Sequence, residues 1–230
     1  MIIKHNPVDL LLRQITSFYG VEEEEVEEIE NVYPKVIEKM TYSFSYVNNK
    51  YYHNGSDAVF NPLHVGQWTF FLYMVSRELY LHNPENTDLC DKIYGLLKII
   101  SSADLFYAVK MPNIWFFDHP QGSVIGRANY GDFFTFSQGC TVGNNKGVYP
   151  TFGEHVSMFS GSKVLGKCKI GHHVIFAANS YIIDRDIPSY SIVFGMSRNV
   201  IIKSISQEKF NELTKSKFDG NAIISKRLYE

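Results

Sequence analysis

A histidine with two candidate carboxylate partners is the feature of this sequence that most directly suggests chemistry. Asp118 and His119 are adjacent, and Asp104 stands fifteen residues before His119. An imidazole held in one tautomer by a carboxylate can take a proton from a hydroxyl group, which turns that hydroxyl into a nucleophile. An isolated Asp-His pair is more typical of a surface or capping histidine. Whether His119 is catalytic therefore depends on the elements that carry these residues.

The second half of the chain repeats hydrophobic or aromatic residues every six positions. The two runs are Val124, Tyr130, Phe136 and Val142, then Phe152, Met158, Val164, Ile170, Phe176 and Ile182. A second, often small set follows four residues later: Ala128, Cys140, Val156, Ser162, Cys168, Val174 and Ser180. This period predicts a parallel β-helix, in which short strands stack coil upon coil. With about 18 residues in a coil of three strands, we expect Asp104 and His119 to lie side by side.

The first hundred residues follow a helical period instead. Apolar faces predict helices around Leu10–Phe18 and Val26–Met40, and Pro34 is expected to bend or interrupt the second. Residues 63–81, apolar nearly all round, predict a buried helix, and residues 89–100 predict another. The fold class is therefore α+β. We predict an N-terminal all-α helical domain over residues 1–103, a β-helix over 104–203, and a C-terminal helix and tail over 204–230.

One loop is expected to project from the β-helix. The spacing between Val142 and Phe152 is ten rather than six, which assigns residues 144–150 to that loop. Loops held by a rigid scaffold are common sites of function. His155, His172 and His173 lack the spacing of metal ligands and are expected to point outward, so we predict no metal site.

Composition limits the kinds of binding partner and the cellular compartment that we expect for this protein. The formal net charge is −2, with acids and bases mixed, which argues against nucleic acid or an anionic membrane as the main partner. No apolar run approaches the roughly 20 residues of a membrane span. The three cysteines are far apart and form no CxxC pair. We therefore expect reduced core cysteines and a cytoplasmic protein.

Residues 104–202 resemble the catalytic domain of serine O-acetyltransferases, within the hexapeptide-repeat acyltransferase superfamily. The similarity runs through FFDHPQGSVIG, DFFTFSQGCTVG, SGSKVLGKCKIG and FAANS. The family's catalytic histidine lies in a Leu-Asp-His segment, matched here by Phe117-Asp118-His119, and its orienting aspartate is matched by Asp104. The resemblance implies a left-handed β-helix, acetyl-CoA as acyl donor, and a homotrimer, with a dimer of trimers as the alternative.

The resemblance also implies where the two substrates bind. Acetyl-CoA would lie against two pairs of small residues on successive coils, Ser160-Gly161 and Ala177-Ala178, and a donor near Ser160 would meet the oxyanion. Lys163 and Arg198 are candidates for the phosphate groups of CoA. Candidates for binding the acceptor are Asp118, Tyr149, Asn144 and, from the helical domain, Asp57.

One departure from the family pattern bears on the acceptor. The family's projecting loop carries an Arg-His-Pro segment that helps to hold serine, whereas Val148-Tyr149-Pro150 stand at the matching positions. A charge-assisted contact of that kind is worth roughly 1.5–3 kcal/mol. We therefore predict an O-acetyltransferase acting on a saccharide or related hydroxyl compound. The alternatives are a serine O-acetyltransferase of cysteine biosynthesis, an N-acetyltransferase acting on an amino sugar, and a catalytically inactive β-helix scaffold.

Overall fold

The computed structural model describes residues 1–214, and they form two compact units. The first unit consists of Met1–Ser45 and Lys50–Ala108, and the second of Tyr46–Asn49 and the described chain from Val109 onward. Of the predicted C-terminal helix and tail, residues 215–230 lie outside the described residues.

The first unit is helical, as the sequence predicts. Its elements are β1 (Ile2–Ile3), α1 (Pro7–Phe18), α2 (Glu23–Phe44), β2 (Val59–Phe60), α3 (Val65–His82) and α4 (Asp88–Ser101). Helix α1 begins where the Asn6 side chain accepts the N–H groups of Val8 and Asp9, at 3.1 and 3.2 Å. Helix α3 is buried on most of its surface, and its aromatic residues Trp68, Phe70 and Phe71 are in the core.

Helix α2 continues through Pro34, so the predicted bend or interruption does not break it. Proline inside a helix costs about 3 kcal/mol, because it removes one hydrogen bond and crowds the preceding turn. One apolar face of α2 is buried along the helix, at Ile29, Val32, Val36 and Met40. Packing of that face, rather than local propensity, holds the helix together on both sides of the proline.

The second unit is a parallel β-helix whose short strands form three ladders, and its fold class agrees with the prediction. The first ladder contains β3 (Trp115–Phe117), β5 (Phe134–Phe136), β8 (Val156–Met158), β11 (Val174–Phe176) and β13 (Ser191–Phe194). The second contains β4 (Val124–Ile125), β6 (Thr141–Gly143), β9 (Lys163–Leu165) and β12 (Tyr181–Ile183). The third contains β7 (Thr151–Phe152) and β10 (Lys169–Ile170). Strand β14 (Ile201–Ser204) then pairs antiparallel with β13, and helix α5 (Gln207–Thr214) follows.

The six-residue period identifies the inward residues correctly from the second coil onward. Eight of its positions are buried: Phe136, Val142, Phe152, Met158, Val164, Ile170, Phe176 and Ile182. In the first coil the assignment of Val124 is wrong, since Val124 is 44% exposed and Ile125 is the buried residue that pairs with Val142. Tyr130 follows Ile125 by five positions rather than six, so counting back six from Tyr130 selects Val124 instead of Ile125.

At one corner of the β-helix, successive coils approach closely. Gly131, Gly153 and Gly171 stack on each other, and a Cβ added to Gly153 would lie 2.8 Å from the carbonyl carbon of Gly171. Real Cβ atoms do not come so close to a backbone, so this corner requires glycine.

Two residues after each of these glycines stands a ring in the left-handed region, and Tyr190 continues the series in the next coil. Phe133, His155, His173 and Tyr190 have φ of 64°, 57°, 58° and 56°. Their rings stack in sequence, with centroids 4.2, 4.7 and 4.7 Å apart. We call these four residues the aromatic column. His155 and His173 are half-buried in this column rather than exposed, whereas His172 is exposed.

Candidate active site

The turn after β3, residues 118–122, carries Asp118 and His119 and is longer than the equivalent turns of later coils. Five residues separate Phe117 from the next inward residue, Ser123, whereas three separate Phe136 from Cys140. The turn is anchored at both ends: the Asp118 N–H donates to the Phe136 carbonyl at 3.0 Å, and the Ser123 hydroxyl donates to the Ser137 carbonyl at 2.9 Å. Two additional residues thus push His119 out of the stacked coil.

His119 has a backbone conformation that few side chains adopt. Its φ is 51°, in the left-handed region, where histidine is tolerated better than most residues. The side chain is 76% exposed. Its Nε2 lies 3.6 Å from Asp118 Oδ1, which is too long for a hydrogen bond. An exposed imidazole near one carboxylate is accessible to a substrate hydroxyl.

Asp104 belongs to the first unit, directly after α4. Its Oδ1 accepts the Tyr94 hydroxyl at 2.6 Å, and its Oδ2 accepts the Lys98 ammonium at 3.1 Å. Burial, followed by the bond to Asp104, raises the pKa of Tyr94. A carboxylate has about four acceptor sites, so these two bonds leave room for a third donor. The pairing of Asp104 with His119 stays a prediction.

The residues predicted to hold acetyl-CoA meet at one edge of the β-helix. Ser160-Gly161 and Ala177-Ala178 occupy the turns after β8 and β11, and the Asn179 N–H donates to the Ser160 carbonyl at 2.8 Å. Within residues 1–214, the N–H groups of Ser160 and Ala178 donate no hydrogen bond. Two backbone donors on adjacent coils are therefore available to a ligand at this edge.

This edge continues down to the turn that carries His119. The Gly161 N–H donates to the Gln138 carbonyl at 2.8 Å, and the Gly139 N–H donates to the Gln121 carbonyl at 3.0 Å. Gln121 lies two residues after His119 in the same turn. The candidate base and the candidate cofactor residues thus belong to one stack of turns, with neighbouring coils about 4.8 Å apart.

The two candidate cations differ in position. Lys163 lies on β9, and its ammonium donates to the Gly161 carbonyl at 3.0 Å, which places it at the edge described above. Arg198 is exposed in the short 3-10 turn Ser197–Asn199. That turn follows Gly195, whose carbonyl accepts the Tyr181 N–H at 2.9 Å, so it belongs to the coil after Ala177-Ala178.

The projecting loop is a tight hairpin. Asn145 and Val148 exchange two backbone hydrogen bonds of 3.0 Å, and the residues between them, Lys146 and Gly147, both have positive φ. This is the geometry of a type I′ turn. Asn144 accepts the Gly147 N–H at 3.3 Å.

Among the predicted acceptor residues, Tyr149 is accessible and Asp57 is bound into a local turn. Tyr149 follows the hairpin and is 40% exposed. Asp57 belongs to the first unit, where its N–H donates to Asn54 Oδ1 at 2.8 Å and its carboxylate accepts the Ser56 hydroxyl at 3.0 Å. The geometry of that turn accounts for Asp57 without a ligand.

Sequence reasoning missed how the hairpin is fixed. The Asn145 side-chain amide donates to Asp184 Oδ2 at 2.5 Å, and Asp184 Oδ1 accepts the Lys167 N–H at 2.7 Å. A Cβ on Gly166 would collide with Asp184 and Asn145. Lys146 at the hairpin tip is an exposed cation two residues before Val148, and it weakens the inference that the loop lacks positive charge.

The described residues hold no cluster of three or more His, Cys, Asp or Glu side chains arranged for a metal ion. None of the described helices combines the length and the apolar character needed to cross a membrane. The three cysteines are free and buried, and burial raises the pKa of Cys90 to about 12. These thiols have the environment of core residues rather than of nucleophiles.

Proteins of similar sequence include serine acetyltransferases. That of Staphylococcus aureus strain Mu50 is 29% identical over 143 residues, which cover 60% of this chain and 66% of the relative, just under two thirds. No protein family model matches the chain.

Solved structures of serine acetyltransferases share the fold. That from Vibrio cholerae O1 biovar El Tor has a TM-score of 0.70 at 18% identity and covers 90% of this chain and 81% of its own. A serine acetyltransferase solved in complex with CoA has a TM-score of 0.65 at 18% identity and covers 86% of this chain and 83% of its own. The chain is thus similar to serine acetyltransferases in sequence and in fold, which confirms the resemblance to the hexapeptide-repeat acyltransferases.

Proposed function

We propose that the protein is an acetyl-CoA-dependent O-acetyltransferase with His119 as general base. The observation that carries the proposal is the exposed His119, on an enlarged turn at the edge where Ser160 and Ala178 present free backbone N–H groups. The similarity to serine acetyltransferases supports the same chemistry.

The reaction is a direct transfer. The neutral His119 imidazole takes the proton of the acceptor hydroxyl while its oxygen attacks the thioester carbonyl, and a tetrahedral intermediate forms. A backbone N–H near Ser160 stabilises the negative charge on the carbonyl oxygen. Collapse of the intermediate breaks the carbon–sulfur bond, and the CoA thiolate receives the proton from the imidazolium. The products are the acetyl ester and free CoA.

Two carboxylates have candidate roles beside His119. Asp104 would fix the tautomer of the imidazole and stabilise its protonated form, as the resemblance implies. Asp118, 3.6 Å from His119 Nε2, would orient the acceptor hydroxyl. Catalytic hydrogen bonds are often long before substrate binds, so the 3.6 Å distance is compatible with an acceptor hydroxyl held between Asp118 and His119.

Acetyl-CoA would lie along the edge formed by Ser160-Gly161 and Ala177-Ala178, with Lys163 near its anionic groups. Lys163 is held at this edge by its 3.0 Å bond to the Gly161 carbonyl. Arg198 is the second candidate: it lies three residues after Gly195, whose carbonyl accepts the Tyr181 N–H at 2.9 Å in the coil that follows Ala177-Ala178.

We propose a homotrimer, with a dimer of trimers as the alternative. A thin β-helix exposes apolar side chains that association would bury, and Val124, Met196 and Ile201 are 44%, 62% and 65% exposed. A neighbouring subunit would also enclose the exposed His119. Light scattering at micromolar concentration tests this, and a monomer would contradict it.

For the acceptor, we propose a neutral hydroxyl compound such as a saccharide. Val148 and Tyr149 offer an apolar surface and a phenol, and Asn144 and Asp118 offer hydrogen-bonding groups. Leaving the carboxylate of serine unpaired in a partly dry site costs more than leaving a hydroxyl unpaired.

Serine is the second candidate. The serine acetyltransferase relatives favour it, and Lys146 at the hairpin tip supplies one exposed cation that a carboxylate can pair with. An amino sugar is chemically compatible as well, because an amine needs the same base.

An acceptor panel with acetyl-CoA, read by the release of free thiol, tests these assignments. The panel contains L-serine, oligosaccharides, nucleotide sugars and an amino sugar. Saturable turnover of a saccharide with little turnover of serine is expected. Turnover of serine alone would replace the saccharide by the amino-acid acceptor, and no thiol release with any acceptor would favour the inactive scaffold.

A further inference from the structure

The aromatic column ends on the C-terminal helix. Phe210 of α5 is 3% exposed. Its ring lies edge-on to His173, with centroids 5.0 Å apart at 76°, and to His155, at 6.4 Å and 86°. The Ile205 N–H donates to the Tyr190 carbonyl at 2.9 Å and fixes the chain that leads into the helix. Two imidazoles thus form part of the surface on which α5 packs.

The environment of the His173 imidazole disfavours its protonated, charged form. Its Nδ1 is buried and has no hydrogen-bond partner among residues 1–214. Burial lowers the pKa of His173 from the ordinary 6.5, and the neighbouring His172 lowers it further, while Glu154 acts in the opposite direction. The packed state therefore favours the neutral form of the His173 imidazole.

The charged groups on the surrounding elements offer this ring little compensation. The coils on either side contribute Glu154 and His172, and the coil of Phe133 contributes Asp132, whose Oδ1 accepts the Asn113 N–H at 2.9 Å. Helix α5 contributes Glu208, bonded to Ser206, and the Lys209–Glu212 ion pair at 2.9 Å. Among the charged groups of the described residues, His172 and Glu154 are the two that shift the pKa of the His173 imidazole.

We propose that His173 is a pH-dependent switch that keeps helix α5 packed on the aromatic column at neutral pH and releases it in mild acid. A proton on His173 places a cation between two stacked rings with its Nδ1–H buried and unpaired, which penalises the packed state. The His155 ring, whose centroid lies 4.7 Å from that of His173, is stacked directly against this cation. Release of α5 exposes both rings to water and removes this penalty.

The direction of the pH effect follows from linkage. His173 binds its proton more weakly when α5 is packed than when α5 is released. Packing is therefore fully stabilised above pH 6.5, the ordinary pKa, and it weakens as the pH falls below that value. It stops weakening once the pH is below the lowered pKa of the packed state.

Hydrogen exchange of Gln207–Thr214, measured by mass spectrometry between pH 8 and pH 5 and corrected for intrinsic rates, tests the switch. For one linked proton, exchange in α5 is expected to rise by up to about tenfold per pH unit below 6.5. Strands β8 and β11 should keep their protection. Exchange that rises equally in those strands would indicate global unfolding and overturn the proposal.

Two variants separate His173 from its neighbour. His173→Phe keeps a ring, and Phe133 shows that this position accepts phenylalanine with a positive φ, so α5 should stay protected down to pH 5. His172→Asn keeps an acceptor for the Glu154 N–H, which donates to His172 Nδ1 at 3.1 Å, and should keep the pH response. A response that survives His173→Phe, or that disappears with His172→Asn, would overturn the assignment.

If His173→Phe does not fold, an NMR titration of the wild-type protein still tests the proposal. The imidazole proton resonance of His173, followed by NMR, should titrate over the same pH range in which α5 loses protection. Titration at an unshifted 6.5 with α5 still protected would contradict the proposal.

Discussion

Three histidines of the β-helix share one backbone conformation and differ in almost everything else. His119, His155 and His173 have φ of 51°, 57° and 58°. The ring of His119 is 76% exposed and stacks on no other ring within residues 1–214, whereas His155 and His173 stack between neighbours at 4.2 to 4.7 Å. The same residue type in the same local conformation is therefore exposed to solvent in one place and part of the packing in the other.

The length of the turn produces this difference. In the aromatic column each ring stands directly before a strand of the first ladder, β5, β8, β11 or β13, so the rings lie on top of one another although the intervals along the chain differ. The turn of His119 has two more residues than its counterparts, so no ring in the next coil lies in register with it. The one enlarged turn exposes the His119 side chain, whereas the regular corner of the other coils stacks the rings of the aromatic column.

The largest expected effect is the loss of activity on replacing His119. His119→Asn keeps a residue that tolerates a positive φ and removes the base. We expect the rate of acetyl transfer to fall by about 10²–10⁴-fold, with the melting temperature and CoA binding unchanged. Thiol release, calorimetric CoA titration and thermal unfolding measure the three quantities. Turnover close to that of the wild type would mean that another group is the base.

The glycine corner beside the aromatic column should be the most sensitive to added volume. In Gly153→Ala the new Cβ would meet the backbone of Gly171, which cannot move without separating two coils. We expect the free energy of unfolding to fall by up to about 3 kcal/mol. Gly122→Ala, in the turn of His119, is the control: it has open space and only its φ of 70° to accommodate, at a cost on the order of 1 kcal/mol. Equal losses in urea unfolding would argue against the close approach.

Replacing a stacked histidine should change stability and leave catalysis intact. His173→Asn removes a ring that stacks on two neighbours and contacts Phe210. We expect a loss of roughly 1–2 kcal/mol in the free energy of unfolding, with the rate of acetyl transfer at neutral pH unchanged. A large loss of rate without a loss of stability would reverse the roles assigned to the two regions.

The smallest expected effects are those of the two carboxylates. Asp104→Asn should lower the rate of transfer by less than the change at His119, roughly tenfold or about 1.4 kcal/mol, because the base is misoriented rather than removed. Asp118→Asn should mainly raise the KM of the acceptor. If Asp118→Asn lowers the rate of transfer more than Asp104→Asn does, Asp118 is the residue that orients the imidazole.

Much of this fold could be predicted because it depends on repeated, local patterns. The period of six identifies the buried strands from Phe136 to Ile182, since each inward residue packs in a similar environment. The prediction failed at Val124, where the spacing changes once. Pro34 does not interrupt α2, because tertiary packing overrides the local penalty.

The parts of the site that escaped prediction depend on residues far apart in the chain. Asn145 and Asp184 are 39 positions apart, and nothing in either segment signals that an amide–carboxylate bond will fix the hairpin. The aromatic column was missed for the same reason: Phe133, His155, His173 and Tyr190 differ in type and are separated by unequal intervals. The candidate base and cofactor residues were found through motif resemblance rather than through periodicity.

Chemical rescue tests the central claim, that the His119 imidazole activates the acceptor, most directly. Glycine accepts a φ of 51° without strain, and His119→Gly leaves an exposed space the size of the lost ring. With acetyl-CoA and the best acceptor of the panel, added imidazole should restore turnover in proportion to the concentration of its neutral form, while the wild-type rate stays constant. A His119→Gly protein that turns over at the wild-type rate without imidazole would contradict the account.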